Sequence, residues 1–454
     1  MTHSLIQKYN VPGPRYTSYP TVPYWEHDPL DADAWKQSVL STFQATNQKE
    51  GIALYIHLPF CSNMCHYCGC NVRFTQNHKV EKPYIERVLQ EWKLYLKLFD
   101  EVPQIAELHL GGGTPTFFSP ENLKFLIDEI FKGADKMVGT EMSFEAHPGN
   151  TTKQHLEVLY NLGFRRLSFG IQDFDLEVQQ IINRVQPVDM VKEVVDQARN
   201  IGFQSINFDL IYGLPKQTKA SIENTLVEVN KMQPERIAFY SYAHVPWIKG
   251  IQRKFTEADL PKGEEKRELY ELGKSLFEQA GYLEIGMDHF ALPSDGLTQA
   301  MKEGSLHRNF MGYTTTTTDL MIGLGVSSIS DSWDAFAQNY KSTRQYEKAL
   351  DQGEFPVFRG HLLNNEDQII RRHILNLMCK MKTEWDPTKS ENTYLNQALP
   401  KLAEMEKDGL LKLSESGTIE VTEKGRPFVR NVCMSIDARL ARKQSEKRIF
   451  SQTI

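Results

Sequence analysis

Hydrophobic and polar positions change period along this chain in a repeating way. Six short runs rich in apolar and β-branched residues read as strands: Ile52–Phe60, Ala106–Gly113, Glu141–Pro148, Arg165–Gln172, Ser205–Gly213 and Arg236–Tyr242. Tyr282–Phe290 is a seventh candidate. Amphipathic helices fall between them. In Lys82–Phe99, the residues Ile85, Val88, Leu89, Trp92, Leu96 and Phe99 make one stripe at helical spacing. Ser119-Pro120 reads as an N-cap followed by proline at the first helical position. Gly163, Gly202 and Gly281 each close a helical pattern, as C-cap glycines do. Strands alternating with helices predict an α/β fold: a partial (β/α) barrel of about six parallel strands. In such folds the loops at the C-terminal ends of the strands carry the chemistry.

The flanks break this rhythm. Residues 1–49 form an extension containing Gly13-Pro-Arg-Tyr-Thr-Ser-Tyr-Pro-Thr21, where Pro12, Pro14 and Pro20 forbid a helix. Tyr16, Tyr19, Tyr24 and Trp25 make it too aromatic for a disordered arm, so a strap over the active site is expected. Residues 50–361 hold the barrel and its extension. Residues 362–454 read as a mainly helical domain, with helices over Gln368–Lys382 and Tyr394–Asp408 and a hairpin of Leu410–Leu413 with Thr418–Val421, resembling a winged helix. That module often binds DNA, but its mixed charges favour a scaffold or lid.

Length, 454 residues, allows two or three domains and a large core. A net charge of −6 with scattered Lys and Arg offers no nucleic-acid footprint. With no apolar signal core and no membrane-length apolar run, a cytoplasmic protein without a membrane partner is expected. Cys379 and Cys433 are isolated and read as buried, reduced core residues.

The chemistry concentrates in Cys61-Ser-Asn-Met-Cys65-His-Tyr-Cys68-Gly-Cys70, directly after the first strand. Thiolates are the ligands of iron–sulfur clusters. Cys61, Cys65 and Cys68 would hold three irons of a [4Fe–4S] cube and leave the fourth open to a substrate. A closed zinc site using these cysteines with His57 and His66 is the alternative. Having every ligand within ten residues argues against it, because structural zinc sites usually join two separate segments. A disulfide is weaker still without a secretory context. The other strand ends point to the same rim: Leu110-Gly-Gly-Gly-Thr-Pro-Thr116 after the second, Glu145 in the third, Gln172 in the fourth, Asp209 in the fifth. Glycines there let backbone approach a ligand.

The three-cysteine spacing resembles the radical S-adenosylmethionine superfamily, and the glycine run its amine-contacting segment. Further motifs are similar to the oxygen-independent coproporphyrinogen III oxidase family over nearly the whole chain. They are the Arg15-Tyr-Thr-Ser-Tyr-Pro20 strap, Tyr55-Ile-His-Leu-Pro-Phe-Cys61, Cys68-Gly-Cys70 and Phe169-Gly-Ile-Gln-Asp173. Asp209-Leu-Ile-Tyr-Gly-Leu-Pro-Lys-Gln-Thr218, Tyr242-Ala-His244, Gly286-Met-Asp-His-Phe-Ala291 and His307-Arg-Asn-Phe310 complete the set.

The resemblance implies Cys61, Cys65 and Cys68 as cluster ligands, and Tyr55 and His57 as catalytic residues. It implies Tyr55, Tyr67, Gly112, Gly113, Thr114, Glu145, Gln172, Arg184, Asp209, Ala243 and Ile329 as contacts to S-adenosylmethionine, of which a second molecule is implied. The implied reaction uses a 5′-deoxyadenosyl radical to convert two propionates of coproporphyrinogen III to vinyl groups, giving protoporphyrinogen IX in haem biosynthesis. An electron donor, a final electron acceptor and a monomeric state go with it. Arg15, Arg253, Lys254 and Arg308 are candidates to meet the substrate's four carboxylates. His147 and the run Thr314–Thr318 depart from the family pattern. A haem-binding relative of the same superfamily is the rival, but it usually has Phe where this chain has Cys70 and lacks the strap.

Overall fold

The computed structural model describes residues 3–247, 250–414, 416–443 and 450–453. The six expected strands are β1 (Ile52–Leu58), β2 (Gln104–Gly112), β3 (Asp135–Ala146), β4 (Arg166–Gln172), β5 (Ser205–Tyr212) and β6 (Arg236–Ser241). They pair in parallel and in sequence order. Helix α1 (Ala32–Thr46) precedes them. The crossovers carry α2 (Glu81–Leu98), α3 (Pro120–Ile130), α4 (Lys153–Leu162), α5 (Val188–Ile201) and α6 (Lys219–Met232). Ser119 caps α3 by accepting from the Asn122 amide, with Pro120 at the first turn. Gly163 and Gly202 close α4 and α5 in the left-handed conformation.

Tyr282–Phe290 is not a seventh parallel strand. It is an antiparallel hairpin of β7 (Leu283–Gly286) and β8 (His289–Ala291), turned at Met287 with φ +44°. The seventh parallel strand is β9 (Met321–Leu324), which arrives from far along the chain to pair with β1. Antiparallel β10 (Ile329–Asp331), β11 (Ala335–Asn339) and β12 (Val357–Leu362) extend that side. The sheet order is β12-β11-β10-β9-β1-β2-β3-β4-β5-β6-β8-β7, an open arc.

Alternation sets the two faces. Leu54, Ile56, Leu108, Leu110, Phe144, Phe169 and Phe208 are buried in one core with the helices. The intervening positions are polar and face inward. Helix α1 buries Trp35, Val39 and Phe43 in that same core. Only the chain before it runs as a strap, so the expected 1–49 unit divides near residue 31.

The strap belongs with the C-terminal module. Leu5, Tyr9, Tyr16 and Tyr19 join a second core with Ile370, Leu377, Leu402, Phe428 and Val432. That module contains α7 (Asn365–Lys380), α8 (Thr393–Lys407) and α9 (Val429–Ser435). The expected hairpin, Leu411–Leu413 with Thr418–Val421, gains a third strand, Lys382–Glu384. Buried Arg430 donates to the carbonyls of Gly13, Pro14, Gln452 and Thr453, tying both ends of the chain to α9. Cys379 and Cys433 are buried free thiols, as expected.

Candidate active site

The cysteine loop leaves β1 at Pro59 and is pinned at both ends. Phe60–Cys61 pairs with Arg73–Phe74. Its middle is tied to the chain after β4: the His66 amide donates to Ile182 O at 2.9 Å, and Asn183 Nδ2 to Met64 O at 2.9 Å. Cys61, Cys65, Cys68 and Cys70 all line one cleft of about 450 Å³. That volume lies within the roughly 300–1,000 Å³ of pockets that enclose small ligands.

The donor set fits an iron–sulfur cube. Thr114 Oγ1 donates to Cys61 Sγ at 3.5 Å and Arg184 Nη1 to Cys65 Sγ at 3.6 Å. Such bonds to sulfur tune a cluster's potential. Burial pushes the free Cys61 thiol up to about 11, so a metal charge is what would make this sulfur a thiolate at neutral pH. Both histidines of the zinc alternative are committed elsewhere. His57 Nδ1 meets Tyr55 OH at 3.1 Å and its Nε2 meets Asn71 O at 2.9 Å; His66 Nδ1 meets Ile181 O at 2.8 Å. Among the described residues, no three His, Cys, Asp or Glu side chains converge as a single-ion site.

Opposite the loop runs the glycine segment. Gly113 and Thr114 donate to Leu58 O and Phe60 O at 2.8 and 3.0 Å, fixing it against the root of the cysteine loop. Gly112 has φ +114°, and a Cβ there would stand 2.6 Å from the His57 ring, so glycine is required. Its amide donates to Glu145 Oε2 at 3.0 Å. Burial works against the Glu145 charge, but His109, the Gly112 amide and His57 outweigh it and hold the carboxyl below the usual range.

The far wall brings together Gln172, Arg184 and Asp209. Gln172 holds φ +69°, an uncommon conformation for a non-glycine residue and typical of functional sites. Arg184 donates through Nε and Nη2 to Gly170 O at 3.1 and 2.6 Å. Burial opposes its charge, and Tyr67 and the cysteine sulfurs more than offset that. Asp209 accepts from Ser168 and Asn207 at 2.8 and 2.9 Å; burial nevertheless raises its pKa to about 6.

Of the expected contacts, Tyr67, Gly112, Gly113, Thr114, Glu145, Gln172, Arg184 and Asp209 share the cleft with the three cysteines. Tyr55 and His57 stand behind the glycine segment, Tyr55 stacked on His109 at 6.0 Å. Ala243 lies in a neighbouring cleft with His244, Trp247 and Lys266. Ile329 starts β10, its carbonyl packed on Gly323 beside Tyr55. His147 lines the cleft, pushed down to about 3 by burial and then by Arg184. The threonine run meets the base of the barrel, where Thr314 bonds Glu107 and Thr315 bonds Glu141.

Ser168 and Tyr240 on the cleft wall, and Asn207 in the adjoining cavity, are residues that motif reading missed. A signal existed: polar residues at every second position, as in Glu107-His109, Glu141-Ser143-Glu145, Arg166-Ser168 and Asn207-Asp209. Register sets them in layers, Tyr55 beside His109 beside Ser143 beside Arg166.

A thiol-bearing loop on the first strand, open to a polar barrel interior, places the chain among radical S-adenosylmethionine enzymes; a model of the Radical SAM superfamily matches residues 55–229. Curated oxygen-independent coproporphyrinogen III oxidases are similar over almost the full length. That of Helicobacter pylori (strain J99) is 42% identical over 99% of this chain and 98% of its own. That of Escherichia coli (strain K12) is 40% identical over the same shares. The solved structure of coproporphyrinogen III oxidase from Escherichia coli, described as a radical SAM enzyme, superposes with a TM-score of 0.89 at 37% identity, covering 96% of this chain and 98% of that one. The chain belongs to the oxygen-independent coproporphyrinogen III oxidase family, and so to the oxidoreductases that use a [4Fe–4S] cluster and S-adenosylmethionine. No described helix is long and apolar enough to cross a membrane.

Proposed function

We propose that this chain decarboxylates two propionates of coproporphyrinogen III to vinyl groups without oxygen, giving protoporphyrinogen IX. The observation that carries the reading is one cleft shared by Cys61, Cys65 and Cys68 with Glu145, Gln172, Arg184 and Asp209. When bound, the cluster and S-adenosylmethionine supply a 5′-deoxyadenosyl radical able to take a hydrogen from a propionate chain.

The protein's own part is to bind, aim and exclude water. Cys61, Cys65 and Cys68 hold the cluster. Gly112 and Gly113 bring backbone to the cofactor with no Cβ in the way. Glu145, kept ionised, and Arg184, kept cationic, suit the amine and carboxylate of a methionine moiety. Asp209 and Gln172 suit hydroxyls, and the polar wall gives a second S-adenosylmethionine its contacts. Tyr55 and His57 act as positioning residues, filling the space under Gly112; Ala243 and Ile329 flank the site rather than line it. The strap shields the mouth, with Arg15 set over the Tyr240 ring at 5.7 Å. The buried free thiols Cys379 and Cys433 suit a cytoplasmic enzyme, and a monomer served by a separate electron donor and acceptor completes the proposal.

Anaerobic turnover of reduced protein with coproporphyrinogen III tests the reading. Vinyl product and 5′-deoxyadenosine should appear together. Tight stoichiometric haem binding with no vinyl product would give the site to the haem-binding rival.

A further inference from the structure

The cysteine loop has an outer edge that the chemistry of the cleft does not use. The segment 73–79 wraps it. Phe60–Cys61 pairs with Arg73–Phe74, and the Thr75 amide donates to Cys61 O at 3.0 Å. His78 stacks on Phe117 at 4.6 Å, and Phe117 packs on Phe60 at 5.8 Å, so the chain stays against the root of the loop as far as Lys79. Two large apolar side chains stand out to solvent here: Phe74, 49% exposed, and Met64, 40% exposed. Scattered exposed apolar residues are ordinary. These two lie on either side of one expected cluster ligand, Cys61, within a stretch of one charge sign.

Over residues 59–82 the only acid is Glu81. It is 1% exposed, and its carboxylate accepts from the Ser119 amide and Asn122 Nδ2 at 2.8 and 2.7 Å. Arg73, Lys79 and Lys82 are all exposed. Asn71 Nδ2 donates to Lys341 O at 3.2 Å, which brings the exposed residue Lys341 to the same edge. The rim across the cleft differs, since Glu177 and Asp189 are exposed there. A basic face is thus a local exception on a chain whose net charge is −6.

We infer that Phe74 and Met64, with Arg73, Lys79 and Lys82, dock an acidic one-electron carrier protein, and that its electron enters beside Cys61. The inference rests on the proposed function, whose cluster needs a reductant, and it names the partner's chemistry and its landing face. Apolar contacts within a basic rim complement an acidic surface and steer its approach. Weak redox encounters bury less than about 1,200 Å² in total, so a small face suffices. The carrier's reduced centre loses one electron and the oxidised cluster gains it; no bond breaks and no proton moves. The link is short: Phe74 is followed by Thr75, whose amide bonds the carbonyl of Cys61.

The probe is a plant-type [2Fe–2S] ferredoxin, a low-potential acidic carrier. Calorimetry measures its binding to the full-length, cluster-loaded protein, and stopped-flow absorbance measures cluster reduction by its reduced form. The wild type should bind it, more weakly as salt rises. R73E and K79E should each weaken binding by roughly three- to tenfold at low salt, and the double variant by more. F74A should slow cluster reduction by roughly threefold or more at low ferredoxin concentration. Iron content and dithionite-driven turnover of coproporphyrinogen III should stay at wild-type levels in all of them. K231E, at the far end of the barrel on α6, should bind as the wild type does. A wild type that does not bind ferredoxin overturns the inference, as does wild-type affinity in the double variant. So does an equal loss in K231E, which would reduce the effect to net charge, or an equal loss of dithionite-driven turnover in the double variant, which would make the residues structural. Self-association abolished by F74A would give the face to a second copy of the chain and overturn it too. Ferredoxin binding that behaves as expected, with no vinyl product even under dithionite, would sink the proposed function alone.

Discussion

The barrel and the C-terminal module use the same residue types to opposite ends. In the barrel, apolar side chains turn outward to the helices and the interior is left polar, with layers such as Tyr55, His109 and Ser143. In the module the apolar residues turn inward, and the middle is filled partly by the N-terminal strap through Leu5, Tyr9, Tyr16 and Tyr19. Two buried arginines show the difference: Arg430 in the module gives its donors to four carbonyls, while Arg308 keeps two of its own unpartnered. Protein interiors normally satisfy such groups, so a cluster of unsatisfied or strained ones marks where a ligand belongs.

The largest effect that would break this contrast lies in the cysteine loop. Cys61→Ser, Cys65→Ser or Cys68→Ser should each abolish the iron–sulfur chromophore and S-adenosylmethionine cleavage, whereas Cys70→Ser should keep iron. Iron loss in Cys70→Ser matching that of the others would disprove a three-ligand site. Next comes the module's clamp. Arg430→Met strands several buried carbonyls and should cost about 3 kcal/mol or more in denaturant unfolding. Coproporphyrinogen III turnover should fall while iron content holds; equal loss of iron would erase the division between the regions. Deleting residues 3–21 should act the same way, since it removes side chains from the module's core.

A smaller effect is expected at the cleft wall. Glu145→Ala and Arg184→Ala should each weaken S-adenosylmethionine binding about tenfold or more, the value of a charge-assisted contact of ~1.5–3 kcal/mol. Unchanged affinity in both, by calorimetry, would make them structural. The smallest effect is in pH. Burial raises the Asp209 pKa to about 6, so it is ionised above that pH and neutral below it. Cofactor affinity should therefore decline as pH falls through about 6, and Asp209→Asn should be weak and flat across that range. A wild-type profile as flat as the variant's would exclude Asp209 from the contact.

What was legible follows from what is local. Six strands, the Ser119-Pro120 start and the Gly163 and Gly202 stops were readable because each signal spans a few residues. The cysteines and the glycine segment were readable because each is one contiguous stretch. Strand β9 was not, because its four residues reach the sheet only by pairing across the chain with β1. The Tyr282–Phe290 hairpin was misread because its two-residue turn puts Met287 in the left-handed conformation, where Gly or Asn is the usual signal. The strap's true partner was hidden for a similar reason: Arg430 meets Gly13 and Pro14 across more than four hundred residues. Arg308 looked like any surface cation in sequence, and only burial without a partner distinguishes it.

The central claim is that the barrel cleft delivers a radical to a propionate of coproporphyrinogen III. The most direct measurement is mass spectrometry of 5′-deoxyadenosine after anaerobic turnover of substrate deuterated along its propionate side chains. Deuterium carried into 5′-deoxyadenosine, in step with vinyl formation, is the predicted result. Vinyl product accompanied by unlabelled 5′-deoxyadenosine would contradict it.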